Sequence, residues 1–154
     1  MIRKEIKTMR EIKFKGQQLS NGYWIVGDLL HLVDGVYISN DNENNMAQVN
    51  PDTVGQATGF LDKNGKEIYE GDILRSDEYP FSCMEDDARD NYFGIIGWSD
   101  EEAMFLLTYA KNPKSAVRGI SDGTSEEITQ QELEDFEIVG DIHDPEWKHF
   151  AKYF

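Results

Sequence analysis

Apolar residues in this chain come in strand-length bursts separated by polar turns. Residues 23–26 (YWIV) and 36–38 (VYI) are rich in β-branched and aromatic side chains, which suit a pleated, half-buried surface. Residues 95–98 (IIGW), 105–109 (FLLTY) and 136–139 (FEIV) continue the series. Asn21-Gly22, Asp34-Gly35, Asn64-Gly65 and Asp122-Gly123 punctuate it. Asn or Asp before Gly supplies the positive φ angles that tight hairpins need. Short strands joined by such turns predict a mainly antiparallel β fold, a barrel or a sandwich, with α+β character only at the margin.

The sharpest local signal is residues 58–74, TGFLDKNGKEIYEGDIL. A polar turn, Asp62-Lys63-Asn64-Gly65, separates two apolar segments and reads as a complete β-hairpin. A second pattern appears three times: Gly27-Asp28, Gly71-Asp72 and Gly140-Asp141, each flanked by apolar residues. The intervals are unequal, so this is no tandem repeat. Glycine inside a strand pattern marks a bulge or sharp bend, and the following aspartate can bond backbone there.

Helical signal is sparse. Thr129 and Glu132 have capping-box spacing, which predicts one or two turns within residues 126–135. Asp144 is placed to cap a helix whose first residue is Pro145. In that helix Trp147, Phe150, Ala151 and Phe154 fall at i, i+3, i+4 and i+7, an amphipathic stripe. The stripe is expected to bury, on the parent domain or against another chain. Trp147, Phe150 and Phe154 are therefore the candidate partner-binding residues. Residues 76–90, acidic and holding Pro80, and the Asn-rich residues 40–45 read as loops.

Composition narrows the function classes. A chain of 154 residues fits one ordinary domain and can build a core without disulfide or metal. The single cysteine, Cys83, excludes an intrachain disulfide and fits a reducing cytoplasmic compartment. The basic N-terminus lacks the apolar core of a signal peptide, and no apolar run approaches the length of a membrane span. Thirty acidic residues face 15 basic ones, a net charge of −15. Binding to phosphate backbones rests on Lys and Arg displacing counterions, so nucleic acid is disfavoured. The acidic surface is expected chiefly to keep the protein soluble, with attraction of a basic protein partner as the sharper alternative.

Candidate chemistry is thin. His31, His143 and His149 lack the Cys-x-x-Cys or H-E-x-x-H companions of a zinc site. Asp41, Glu43 and Asn45 match the first positions of a calcium loop, but Met46 stands where Gly is needed and Asp52 where Glu is needed. Acidic neighbours of Cys83 (Glu85, Asp86, Asp87) disfavour a thiolate nucleophile. The adjacent carboxylates Asp86-Asp87 and Glu101-Glu102 point to opposite faces of a strand and do not converge. No phosphate-cradling Gly-rich loop occurs between Gly55 and Gly59. Trp24, Trp98 and Trp147 read as core residues rather than stacking platforms, because cations are scarce beside them. No catalytic, cofactor-binding or metal-binding residue is assigned.

The motif order also resembles one family. Residues 9–16 (MREIKFKG), Asn21-Gly22-Tyr23-Trp24 and Gly27-Asp28-Leu29 resemble the opening of YopX-type phage and prophage proteins. Residues 54–73 are similar to that family's central signature, and residues 136–142 (FEIVGDI) to its closing strand. The chain departs from the family where Asn-Pro-Glu-Leu is common and His143-Asp144-Pro145-Glu146-Trp147 stands instead. The resemblance covers residues 9–146. It implies an SH3-like small β-barrel over 58–143, preceded by an N-terminal β segment over 9–57. Residues 1–8 form an extension, with Met1 or Met9 as the start, and residues 144–154 the C-terminal amphipathic helix. The family brings no catalytic residues and no established activity. The expected function is that of a non-enzymatic accessory protein that binds another protein, with homo-oligomerisation as part of that expectation. The alternative is a nucleic-acid-binding small barrel using Lys63, Lys66, Arg75 or Arg118.

Overall fold

The turn at 62–65 folds the chain back as its sequence requires. In the computed structural model, which describes residues 11–40, 45–78, 81, 91–115 and 123–153, it joins β5 (Gly55–Leu61) to β6 (Glu67–Tyr69). The Asp62 carboxylate accepts the backbone N–H groups of Asn64 and Lys66 through Oδ1 and of Ile138 through Oδ2. This explains how an aspartate can be buried here: its oxygens replace lost water contacts with backbone donors.

The remaining strands are β1 (Phe14–Gln17), β2 (Trp24–Leu32), β3 (Gly35–Asn40), β4 (Asn45–Gln48), β7 (Asp72–Ser76), β8 (Tyr92–Ser99), β9 (Met104–Lys111), β10 (Ser125–Glu127) and β11 (Phe136–Asp141). They form two antiparallel sheets, of order β4-β3-β2-β1-β5-β6 and β10-β9-β8-β7-β11. The fold is mainly β. Among the described residues neither sheet closes on itself, so the expected closed barrel is not found. The sheets are instead stitched at two points. Gly71 donates its N–H to Ile96 and accepts that of Ile142, and Lys63 N–H donates to the Phe136 carbonyl. β5 runs unbroken through residue 57 and pairs with β1 on one side and β6 on the other. The strand thus continues across residue 57.

Each Gly-Asp pair marks a change of direction, as its sequence predicts. β2 pairs with β1 up to Gly27 and with β3 from Asp28 onward. A Cβ on Gly27 would lie 1.9 Å from the Ser39 carbonyl oxygen, so the bend excludes any side chain there. Gly71 turns β6 into β7 with φ +92°. Gly140 follows a register shift in β11.

Three apolar clusters result. One lies between the sheets, around Ile68, Leu74, Tyr92, Ile96 and Leu107. A small one, Ile25, Ile38 and Val49, holds the N-terminal hairpins. The third covers the opposite face of the second sheet, where Ile73, Phe93 and Ile95 meet the C-terminal segment.

Helical content differs from the sequence reading. α1 spans only Gln130–Leu133, capped by the Thr129 hydroxyl, and Glu126 and Glu127 belong to β10 instead. The C-terminal segment Pro145–Tyr153 is a 3-10 helix, not an α-helix. Its period of three turns Trp147, Phe150 and Tyr153 onto the sheet, while Ala151 is exposed. Asp144 does not cap it by side chain; its carboxylate accepts the Asp141 N–H. Phe154, residues 1–8, Cys83, the calcium-like Asp41 and Glu43, and most of the 76–90 loop lie outside the described residues.

Candidate functional site

Two of the three Gly-Asp bends converge on one lysine. Lys15, on β1, donates from Nζ to Asp72 Oδ1 and to Asp141 Oδ2, both at 2.5 Å. Asp72 opens β7 and Asp141 closes β11, so the contact joins three distant segments. The remaining carboxylate oxygens are occupied. Asp72 Oδ2 accepts the Tyr69 N–H at 2.8 Å. Asp141 Oδ1 accepts the His143 N–H at 2.9 Å and lies 2.7 Å from His143 Nδ1. The ammonium also sits 4.7 Å from the Trp24 ring centroid and 5.5 Å from that of Tyr69, cation–π range for both.

The electrostatics follow from burial. Burial disfavours the Lys15 charge, but Asp72 and Asp141 outweigh it and raise the lysine above its ordinary range. Burial lifts Asp72 above the usual carboxylate value against the pull of Lys15. Burial works the same way on Asp141, yet the His143 hydrogen bond and Lys15 hold it below that value. Lys15 is 8% exposed, and Asp72 and Asp141 are each 4% exposed. Both carboxylates are fully engaged, by Lys15 on one oxygen and by Tyr69 or His143 on the other. The arrangement is an internal clamp holding β1 to the ends of β7 and β11. Among the described residues no three His, Cys, Asp or Glu side chains are grouped to hold a metal.

The accessible feature lies at the open end between the sheets. Trp98, at the end of β8, is 45% exposed, a departure from the core role its sequence suggests. Its ring packs edge-on against Phe105 at 5.0 Å, and its indole N–H donates to Asp100 at 3.1 Å. On one side is a cleft of about 440 Å³ walled by Thr58 and Phe60 of β5 and by Phe105, Glu127 and Ile128. On the other is a cleft of about 300 Å³ bounded by Glu70, Leu106, Thr108 and Tyr153. Burial, aided by the charge of Asp100, raises Glu70 above its ordinary range, although the Gln56 N–H opposes this. The β8–β9 connection places Asp100, Glu101 and Glu102, all exposed, beside the ridge. Ala103 completes it with φ 53°, a left-handed conformation uncommon outside glycine.

Of the sequence-predicted partner residues, Trp147 and Phe150 pack on their own sheet, one of the two placements expected of the stripe, and Phe154 lies outside the described residues. Phe150 is a core residue, tilted against Phe93 with ring centroids 5.5 Å apart, and Trp147 packs edge-on against the same Phe93 at 5.2 Å. Both are used within the chain. Gly140 makes room for this: a Cβ there would lie 2.2 Å from the Trp147 indole nitrogen. Of the cations expected to form a nucleic-acid patch, Lys63 and Arg75 both lie 3.6 Å from the Glu137 carboxylate. Arg118 lies outside the described residues.

Sequence reasoning missed Lys15 and Trp98. The repeated Gly-Asp pattern carried half of the first signal, since aspartates at two bends need a cation if buried together. Trp98 carried none, because a strand-end aromatic reads the same whether covered or open.

Comparison with known proteins adds the following. The sequence model of a family described as YopX protein matches residues 3–146, a span that includes most of the extension expected to precede Met9. No curated protein matches the chain. The crystal structure of protein EF1440 from Enterococcus faecalis is similar over 86% of this chain and 94% of that one, with 18% identity and a TM-score of 0.49.

Proposed function

The chain belongs to the YopX family, and from that premise we propose that it is a phage or prophage accessory protein that works by binding another protein rather than by turnover. The supporting observation is the contrast between its two polar sites. The buried cluster of Lys15, Asp72 and Asp141 is closed and internally satisfied, whereas the Trp98 ridge is open, aromatic and unshielded. Exposed aromatic surface beside a concave cleft is what protein-binding sites offer, since a ring supplies large contact area at small entropic cost. The same reading takes the fold as an SH3-like barrel opened on one side, with Gly71 and Asp62 bridging its sheets.

The test is a pull-down from host-cell lysate with the full chain as bait, beside a broad substrate screen. A partner retained at physiological salt is expected; turnover with no partner overturns the reading. Homo-oligomerisation belongs to the proposal as well. Tyr23, Leu32, Val33 and Met46 of the N-terminal hairpins are exposed apolar side chains available to a second copy. Light scattering is expected to give at least twice the monomer mass, and a monomer mass at tens of micromolar removes this part.

A further inference from the structure

We infer that the two clefts flanking Trp98 form a docking site for an arginine- or lysine-bearing extended segment of a partner protein, with the cationic side chain over the Trp98 ring. This deepens the protein-binding reading and rests on it.

Three observations carry it. First, the ring is presented rather than buried. Trp98 is 45% exposed, and the clefts lie to either side of it. Its orientation is fixed by the Asp100 hydrogen bond and the edge-on contact with Phe105. Second, among the described residues the charges lining the ridge share one sign. Glu127 stands in one cleft and Glu70 in the other, Asp100 holds the indole, and no described lysine or arginine lines either cleft. An electron-rich ring face bordered by carboxylates attracts a cation and repels an anion. Third, the acidic connection is held in place at a cost. Ala103 keeps a left-handed φ of 53° at the rim of the larger cleft. Strain of this kind concentrates where a loop must present particular groups.

The same charges argue against nucleic acid as the occupant. A nucleic-acid strand would bring phosphates to Glu127 and Asp100. A segment with two cations spaced along an extended backbone can lay one over the ring, beside Asp100, and turn the other toward Glu127 or Glu70 in a flanking cleft.

The experiment is a titration of the full chain followed by the Trp98 indole N–H resonance, assigned with Trp98→Phe. It is run near 150 mM salt, where long-range attraction is largely screened. The probes are an acetylated Ala-Arg-Ala-Arg-Ala peptide, its glutamate counterpart and a twelve-nucleotide oligothymidine. Saturable movement of the Trp98 resonance with the arginine peptide alone is expected. Glu127→Gln, on the exposed edge strand β10, should weaken binding about fivefold, and so should Trp98→Phe, whose titration is followed by calorimetry because that variant lacks the resonance. Glu146→Gln, exposed and lining neither cleft, should leave it unchanged. Equal effects of Glu127→Gln and Glu146→Gln would overturn the site, because they would mean diffuse attraction to an acidic protein. So would movement of Trp98 by oligothymidine and not by peptide. Pull-downs with wild-type and Glu127→Gln baits separate the two levels. A partner held equally by both overturns the site and leaves the protein-binding reading standing. Failure of the wild-type bait to capture any protein overturns that reading itself.

Discussion

Lys15 shows why a buried charge is tolerated only in company. With Asp72 and Asp141 it forms a cluster whose donors and acceptors are matched across three segments. Removing the ammonium leaves two carboxylates without their counter-ion. Lys15→Met should therefore destabilise the protein by about 3–5 kcal/mol, the usual cost of breaking a buried pair from one side. Urea unfolding measures it. The triple variant Lys15→Met, Asp72→Asn, Asp141→Asn should recover much of the loss, because the uncompensated charge is gone. A single variant as stable as the parent would show that the cluster contributes nothing. Gly65 isolates a different effect. Its φ is +78° and a Cβ there would meet nothing within 4 Å, so a substitution is felt only by the backbone. Gly65→Val should cost about 1–2 kcal/mol through left-handed strain, and Gly65→Asn much less, since Asn tolerates that region. At this chain length each kcal/mol lowers the melting temperature by about 2–4 °C. Equal melting temperatures for Val and Asn variants would contradict the assignment.

At the level of elements, the C-terminal 3-10 helix acts as a lid on the second sheet. Its inward residues Trp147, Phe150 and Tyr153 cover Ile73, Phe93 and Ile95. Truncation after Pro145 would expose that apolar face. The expected outcome is a lower melting temperature with the mass in light scattering unchanged, because the stripe packs within its own chain. If the assembly dissociated while the melting curve held, the helix would have to pack on a neighbour instead. The helical period decides which side chains perform this task. An α-helical period selects Ala151 and Phe154; the 3-10 period selects Tyr153 and leaves Ala151 in solvent.

For the whole molecule, the pH response follows from groups that folding holds protonated. Burial, with the negative charges of Glu67 and Asp72, pushes Tyr69 up to about 12 from its ordinary 10. Lys15 is raised as well, and so is Tyr109, by burial and then by its hydrogen bond to Glu126. A group with a folded pKa above its unfolded one contributes stability that is complete below the unfolded value. That contribution is lost as pH rises through the folded value. The melting temperature should accordingly fall between about pH 10 and pH 12, and Tyr69→Phe should flatten part of the fall. An unchanged slope in that variant would place the alkaline sensitivity elsewhere. Asp141 has the opposite sign. Its lowered pKa contributes above its ordinary 3.8 and is lost as pH falls below it. No helix among the described residues is long and apolar enough to cross a membrane.

Much of this protein was readable along the chain. The hairpin at 62–65, the bends at Gly27, Gly71 and Gly140, the Thr129 cap and most strands are local features. Backbone conformation there depends on a residue and its immediate neighbours, so turn chemistry and short-range periodicity specify them. The family is readable for the same reason, since its motifs are those bends and turns. What local pattern could not decide was which distant groups meet. Lys15 reaches Asp72 and Asp141 only because two sheets bring β1, β7 and β11 together. The open edge of the sheets, and not the composition of residues 95–98, leaves Trp98 uncovered. The register of the last helix was likewise decided by the sheet beneath it. Trp147, Phe150 and Tyr153 face the sheet there, and apolar burial of that kind outweighs the small differences in local helix energetics.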